Sequence, residues 1–341
     1  MEPVEALRRI AFLQERAGEK TYRVRAFRGA ADLIASMSPE ALADHVRQGT
    51  LTSLPGIGKV TALVIEEAAR GETPIYLRRL EATEGESIDS ATQEIRTALK
   101  GDLHSHSDWS DGGSPIREMA ETARGLGHAY LALTDHSPRL TVANGLSADR
   151  LREQLDVVAE LNEDLAPFRI LTGIEVDILD DGGLDQDEDL LARLDVVVAS
   201  VHSKLRMDRV EMTRRMVAAI ANPLVNVLGH CTGRIVKSGG RRGGLRPESD
   251  FDPDLVFDAC VAYDVAVEIN SRPDRLDPPK RLLRPAAEAG CRFSIDSDAH
   301  APGQLDWQIN GCERAALCGI PPDQIVNTLP LNTLLTWSTA R

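Results

Sequence analysis

Residues 101–112 read Gly-Asp-Leu-His-Ser-His-Ser-Asp-Trp-Ser-Asp-Gly, and they begin where the texture of this 341-residue chain changes. Gly101–His106 is the first of seven short β-rich runs, and the others cover Ala129–Thr134, Arg169–Val176, Asp195–Val201, Leu224–Leu228, Val265–Ile269 and Arg292–Ile295. Helix-length segments lie between most of them. That alternation predicts a parallel sheet, and seven units over this span predict closure into a barrel. Within the first run, His104 and His106 are two apart, so an extended backbone points both rings to one side.

Upstream the pattern is different. Val4–Ala17, Tyr22–Ser36, Pro39–Gly49 and Lys59–Arg70 carry apolar residues three and four apart, with Gly or Pro between them, and no strand pattern interrupts. The expected organisation is an all-α domain over 1–82, a polar acidic linker over 83–98 ending in a short helix, and a barrel over 99–341. Residues 1–82 hold 12 Lys and Arg against 11 Asp and Glu, a net +1, so the remainder carries −15 and holds all of the chain's net acidity. Broad electrostatic wrapping of nucleic acid by the barrel is therefore excluded. The 42% hydrophobic content suffices for a core, and no apolar run reaches membrane-spanning length. The first twenty residues lack a signal-peptide pattern. Five cysteines without a Cys-x-x-Cys pair suit buried thiols in a cytoplasmic protein.

Six of the eight histidines fall at or just past a strand end: His104, His106, His136, His202, His230 and His300. Asp111, Glu175 and Asp298 join them. The C-terminal face of a parallel barrel is where such residues converge. A lone histidine of this kind is usually a hydrogen-bonded core residue, but nine ligand-type side chains recurring at strand ends form a metal-binding pattern. His128 precedes its strand and His45 lies in the helical segment, so neither is counted. Six imidazoles with three carboxylates exceed one tetrahedral zinc site and predict two or three divalent ions, with Zn²⁺, Mn²⁺ and Fe²⁺ equally suited by ligand type. Three such ions against three carboxylates leave about +3, a centre that attracts phosphate and can activate water without a Ser or Cys nucleophile.

These motifs, Gly101–Gly112 with Leu133-Thr-Asp-His-Ser137, Gly173-Ile-Glu175, Ser200-Val-His202, Gly229-His230 and Ser297-Asp-Ala-His300, resemble the successive motifs of the polymerase-and-histidinol-phosphatase (PHP) family. The resemblance covers about 98 to 341. It implies a distorted seven-stranded (β/α)7 barrel and a metal-dependent phosphoesterase with a trinuclear site. His104, His106, Glu175 and Asp298 would hold one ion, Glu175 would bridge to a second on His202 and His230, and Asp111, His136 and His300 would hold the third. Arg139, Lys204, Arg234, Lys237, Arg241, Arg242 and Arg272 follow strands and are candidate phosphate contacts, with the Gly239–Gly244 stretch as a phosphate-binding loop.

Leu54-Pro-Gly-Ile-Gly-Lys59 before an apolar helix resembles a helix-hairpin-helix turn, whose Gly56, Gly58 and Lys59 would meet a DNA phosphate. Arg23, Arg25 and Arg28, interleaved with Tyr22 and Phe27, suit backbone contact and base stacking. Residues 1 to about 82 resemble the lyase-type domain of family X DNA polymerases. Between this domain and the barrel there is no nucleotidyltransferase pattern, so polymerase activity is not expected. The family's Schiff-base lysine corresponds to Val64, so lyase activity is not expected either. The leading expectation is hydrolysis of phosphate esters in DNA, by a 3′–5′ exonuclease or 3′-phosphatase acting in repair. The alternatives are a small-molecule phosphatase acting on histidinol phosphate or a nucleotide, and a non-catalytic DNA-binding accessory protein.

Overall fold

A computed structural model describes residues 1–82, 88–237 and 244–339. Contacts divide the chain into Met1–Ser87 and Ile88–Arg341.

The described residues of the first unit form helices Pro3–Arg16, Thr21–Ala35, Pro39–Gln48, Lys59–Ala69 and Ile75–Glu81 and no strand. The first, second and fourth turn Leu7, Ile10, Phe27, Ala31 and Ile65 into one core. Glu15 sits inside this unit because Arg28 grips it with two parallel bonds of 2.6 and 2.8 Å. The helix Ile75–Glu81 was not foreseen. Pro74 and Glu67, whose carboxylate accepts the Ile75 N–H at 2.9 Å, start it.

In the second unit seven parallel strands run in chain order: β1 Gly101–Ser105, β2 Tyr130–Leu133, β3 Arg169–Asp177, β4 Val196–Ser200, β5 Val227–Leu228, β6 Ala266–Asn270 and β7 Phe293–Asp296. All seven expected strands are present, with ends shifted by a few residues. Apolar side chains buried on both faces account for their nearly continuous Val, Ile, Leu and Ala content. The 83–98 segment is expected to end in a short helix. Ser90–Ala98 is a helix capped by Asp89, its Ile95 joins the barrel core, and its Arg96 bonds Asp306 and Gln308.

The seam between β1 and β7 is closed largely by side chains. Asp296 Oδ1 accepts the Leu103 N–H at 2.9 Å, and Asp102 accepts the Ser297 N–H at 3.2 Å. Just beyond, His106 N donates to the Ala299 carbonyl at 2.8 Å and Asp298 N to the His104 carbonyl at 3.0 Å. The first and last motifs are thereby locked side by side.

His128, excluded from the site by its sequence position, is buried below the barrel beside Arg96. Burial, and secondarily the Arg96 charge, lowers its pKa to about 3. A histidine depressed in this way contributes stability above its unfolded value of about 6.5 and loses it as pH falls toward 3. In metal-free protein, His128→Asn should therefore lose about 3 kcal/mol less than wild type between pH 7 and pH 4, read from urea midpoints. Parallel losses in the two proteins would show that His128 does not couple folding to protons.

Candidate metal centre

The nine ligand-type residues form one connected cluster where β1 to β7 end, and Glu175 is at its middle. Its Oε2 lies 3.3 Å from His104 Nε2, 3.6 Å from His106 Nε2 and 2.9 Å from His136 Nδ1. Its Oε1 lies 3.2 Å from His202 Nε2 and 2.8 Å from His230 Nε2. On the outer side Asp111 Oδ1 is 3.3 Å from His300 Nε2 and 3.5 Å from His136 Nε2, and Asp298 Oδ1 is 3.5 Å from His106 Nε2.

Local sequence makes this convergence possible. Glu175 is carried by β3, a strand of nine residues that outreaches its neighbours. His230 follows Gly229, where a Cβ would come within 2.2 Å of Ser200 Oγ, so only glycine lets β5 approach β4 this closely. Asp298 adopts a left-handed backbone with φ of 51°, a conformation that aspartate tolerates better than most residues.

Among the described residues, three groups have one ligand atom per residue within 4.8 Å of each other: His106, Asp111, His136 and His300; His104, His106 and Glu175; and His136, Glu175 and His202. His106, His136 and Glu175 each belong to two of them, whereas the family resemblance implies sharing between ions by Glu175 alone.

As a proton network the cluster is frustrated. Burial raises the Glu175 carboxyl, but His202, His104 and His136 outweigh it and hold the pKa well below the carboxylate range. Asp298 is lowered likewise, by Arg272 first, and Asp111 by His300. Against burial, Glu175 lifts His202 to about 9 and also raises His104, while burial drives His106 and His230 down to about 3. The buried nitrogens His104 Nε2, His106 Nδ1 and Nε2, His136 Nδ1, His202 Nε2 and His230 Nδ1 have no hydrogen-bond partner. Orphaned nitrogen lone pairs close to anionic oxygens are what divalent cations satisfy, so this donor set fits bound metal.

Two carboxylates missed at the sequence level orient these rings. Glu268 Oε1 takes His104 Nδ1 at 2.6 Å, while its Oε2 accepts the His230 backbone N–H. Asp177 holds His202 Nδ1. Each leaves Nε2 turned toward Glu175, the usual way of fixing a ligand tautomer. Burial pushes Glu268 up to about 7 against the pull of His104. The available signal was an acid inside a buried strand, Ala266-Val-Glu-Ile-Asn270.

The basic candidates fare unevenly. Arg272 reaches the cluster, with Nη1 3.4 Å from both Asp298 Oδ1 and His300 Nδ1, and Arg275 Nε is 3.2 Å from Asp298 Oδ2. Arg234 instead bonds the carbonyls of Arg275 and Leu276 and lies 3.5 Å from Glu248. Lys204 is held by Asp180 at 2.5 Å, and Arg139 is exposed with its backbone N–H on Asp185. Arg241 and Arg242 lie outside the described residues.

In the helical unit Gly56 has φ of 83°, and Gly58 caps the helix Lys59–Ala69, with its N–H directed to Thr61 Oγ1 at 2.9 Å. That N–H is therefore engaged within the turn, while Lys59 is exposed. Arg23 and Arg25 are exposed, the former paired with Glu19 at 3.0 Å. Arg28 is committed to Glu15, and Phe27 is buried against Tyr76 at 5.3 Å, so neither provides the exposed contact expected of it. Tyr22 is exposed and Val64 buried.

Comparison with known proteins agrees with this architecture. Residues 102–271 match the PHP domain and residues 1–73 a helix-hairpin-helix domain. The chain is 43% identical over 235 residues, 68% of its length, to the DNA polymerase/3′-5′ exonuclease PolX of Bacillus subtilis, and the match spans 40% of that protein. It is 29% identical over 241 residues to a probable phosphatase of Thermoanaerobacter sp., a match covering 67% of this chain and 89% of that protein. Histidinol phosphate phosphatase from Lactococcus lactis, solved with zinc, L-histidinol and phosphate, superposes with a TM-score of 0.46 at 18% identity, over 65% of this chain and 94% of that one. With its seven-stranded barrel, its ordered metal-type motifs and its helix-hairpin-helix domain, the chain belongs to the PHP family of metal-dependent phosphoesterases.

Proposed function

We propose that this chain hydrolyses phosphate esters at the 3′ end of DNA, as a 3′–5′ exonuclease or 3′-phosphatase, with the helical unit binding the DNA. The observation that carries the reading is a helix-hairpin-helix domain and a PHP barrel on one chain, which is 43% identical over 235 residues to a relative named as a DNA polymerase/3′-5′ exonuclease. The nine residues at the strand ends would hold two or three divalent ions. Bound ions would supply Lewis-acid charge and an activated water. Glu268 and Asp177 fix the His104 and His202 rings, and Glu175 ties the inner imidazoles together. Arg272 brings a planar cation to the Asp298 and His300 edge, where it suits a phosphate oxygen.

A small-molecule phosphatase is the second reading. It is favoured by the acid-rich loop after β3, where Asp180, Asp181, Asp185 and Asp187 oppose a polyanion and Asp180 occupies Lys204. The two readings separate on a 5′-labelled oligonucleotide annealed to leave a nick or short gap, incubated with Mn²⁺-loaded protein. A descending ladder, or loss of a 3′-phosphate, that disappears in His104→Ala is the expected result. No change in the oligonucleotide by protein shown to hold metal, together with release of phosphate from small monoesters, would replace the first reading by the second.

A further inference from the structure

The helix Arg209–Ile220 lies on the outer layer of the barrel, yet it sends Arg215 inward until the side chain is fully buried. Buried arginine normally faces a carboxylate. Here the nearest, Asp180 Oδ1, stands at 4.0 Å, and the guanidinium instead donates to backbone. Nε reaches the Leu179 carbonyl at 2.9 Å and the Ile178 carbonyl at 3.2 Å, Nη2 also bonds Ile178, and Nη1 bonds the Ser203 carbonyl at 2.9 Å.

Those carbonyls belong to the turns that leave β3 and β4. Ile178 directly follows Asp177, and Ser203 directly follows His202. Because Asp177 holds His202 Nδ1, the pair sits inside a closed frame whose far side is one guanidinium. Gly182 adds to it, since its φ of 90° lets the β3 exit turn pack so closely on the helix that a Cβ would meet Ala218 at 2.4 Å. A planar fork with five donors can tie three carbonyls together, and lysine with one ammonium cannot do so in this geometry.

We infer that Arg215 is a positioning residue for the metal centre: by joining the two exit turns it holds Asp177 and His202 in register with Glu175. The inference rests on the reading of His202 as a metal ligand. Ligand-orienting groups of this sort are worth about 10–100-fold in metal affinity.

The test is Mn²⁺ binding, followed by the electron paramagnetic resonance signal of the free ion, for wild type, Arg215→Met, Arg215→Lys and His202→Ala, with folding checked by circular dichroism. Arg215→Met is expected to weaken one class of Mn²⁺ site about 10–100-fold and to leave the other class unchanged. His202→Ala should weaken the same class, and Arg215→Lys should recover only part of the loss. If Arg215→Met does not fold, Arg215→Lys alone decides, by the same weakening of one class. Unchanged Mn²⁺ affinity in the folded arginine variants, with loss in His202→Ala, would overturn the positioning role and leave the metal reading standing. Unchanged affinity in His202→Ala as well would overturn the metal reading itself.

Discussion

Glu175→Gln is expected to fold and yet lose phosphoester hydrolysis by about 10³-fold, together with most of its bound metal. Two oxygens of this one side chain face five imidazoles at 2.8 to 3.6 Å, so no other residue touches as much of the cluster. Glutamine preserves shape but brings no negative charge, and its amide donor would turn toward nitrogens that need to present lone pairs. Elemental analysis and turnover of a generic phosphodiester such as bis-p-nitrophenyl phosphate check the prediction. Retention of full metal content with unchanged turnover would remove Glu175 from the centre.

Chelation is expected to strip the centre in two phases, with almost all activity lost in the first. The outer group contains Asp111, whose side chain is 37% exposed, and His300, which is 20% exposed. His300 Nδ1 faces the Asp298 backbone carbonyl and Arg272, and the Asp298 carboxylate stands 3.6 Å from it. The inner rings of His104 and His202 are 0% and 10% exposed and are backed by Glu268 and Asp177. Exposure and weaker second contacts both speed ligand loss, so an ion in the outer group should exchange first. Timed removal by EDTA, with metal content and activity read on the same aliquots, tests this. Asp111→Asn should start in the state that wild type reaches after the first phase. A single phase for both metal and activity would mean that the groups act as one.

The barrel and the cluster of ligand-type residues at its strand ends are legible in the sequence for a shared reason. Buried parallel strands are short apolar runs, and metal ligands placed at their ends stand out against them. Glu268 and Asp177 were harder to find because their roles depend on which histidine lies across the barrel, a relation that no spacing encodes. The basic residues were read least well. Arg234, Lys204 and Arg28 all lie where phosphate could be met, but each is taken by a carbonyl or carboxylate from elsewhere in the chain. Phe27 was misread for a similar reason, since a helix with an aromatic among arginines does not reveal whether Tyr76 will cover it. The helix Ser90–Ala98, expected as a short helix at the end of the linker, gives only a weak signal because its one buried apolar anchor, Ile95, is too little to form a periodic stripe.

The β1–β7 seam has a consequence for how the molecule comes into being. His104 and His106 are translated among the first residues of the barrel, but Asp298 and His300, which complete their surroundings, follow about 190 residues later. A chain still being made can bury strands as they emerge, but it cannot close the ring on which its chemistry depends. A nascent or truncated chain that lacks β7 and the residues just after it therefore lacks the complete cluster.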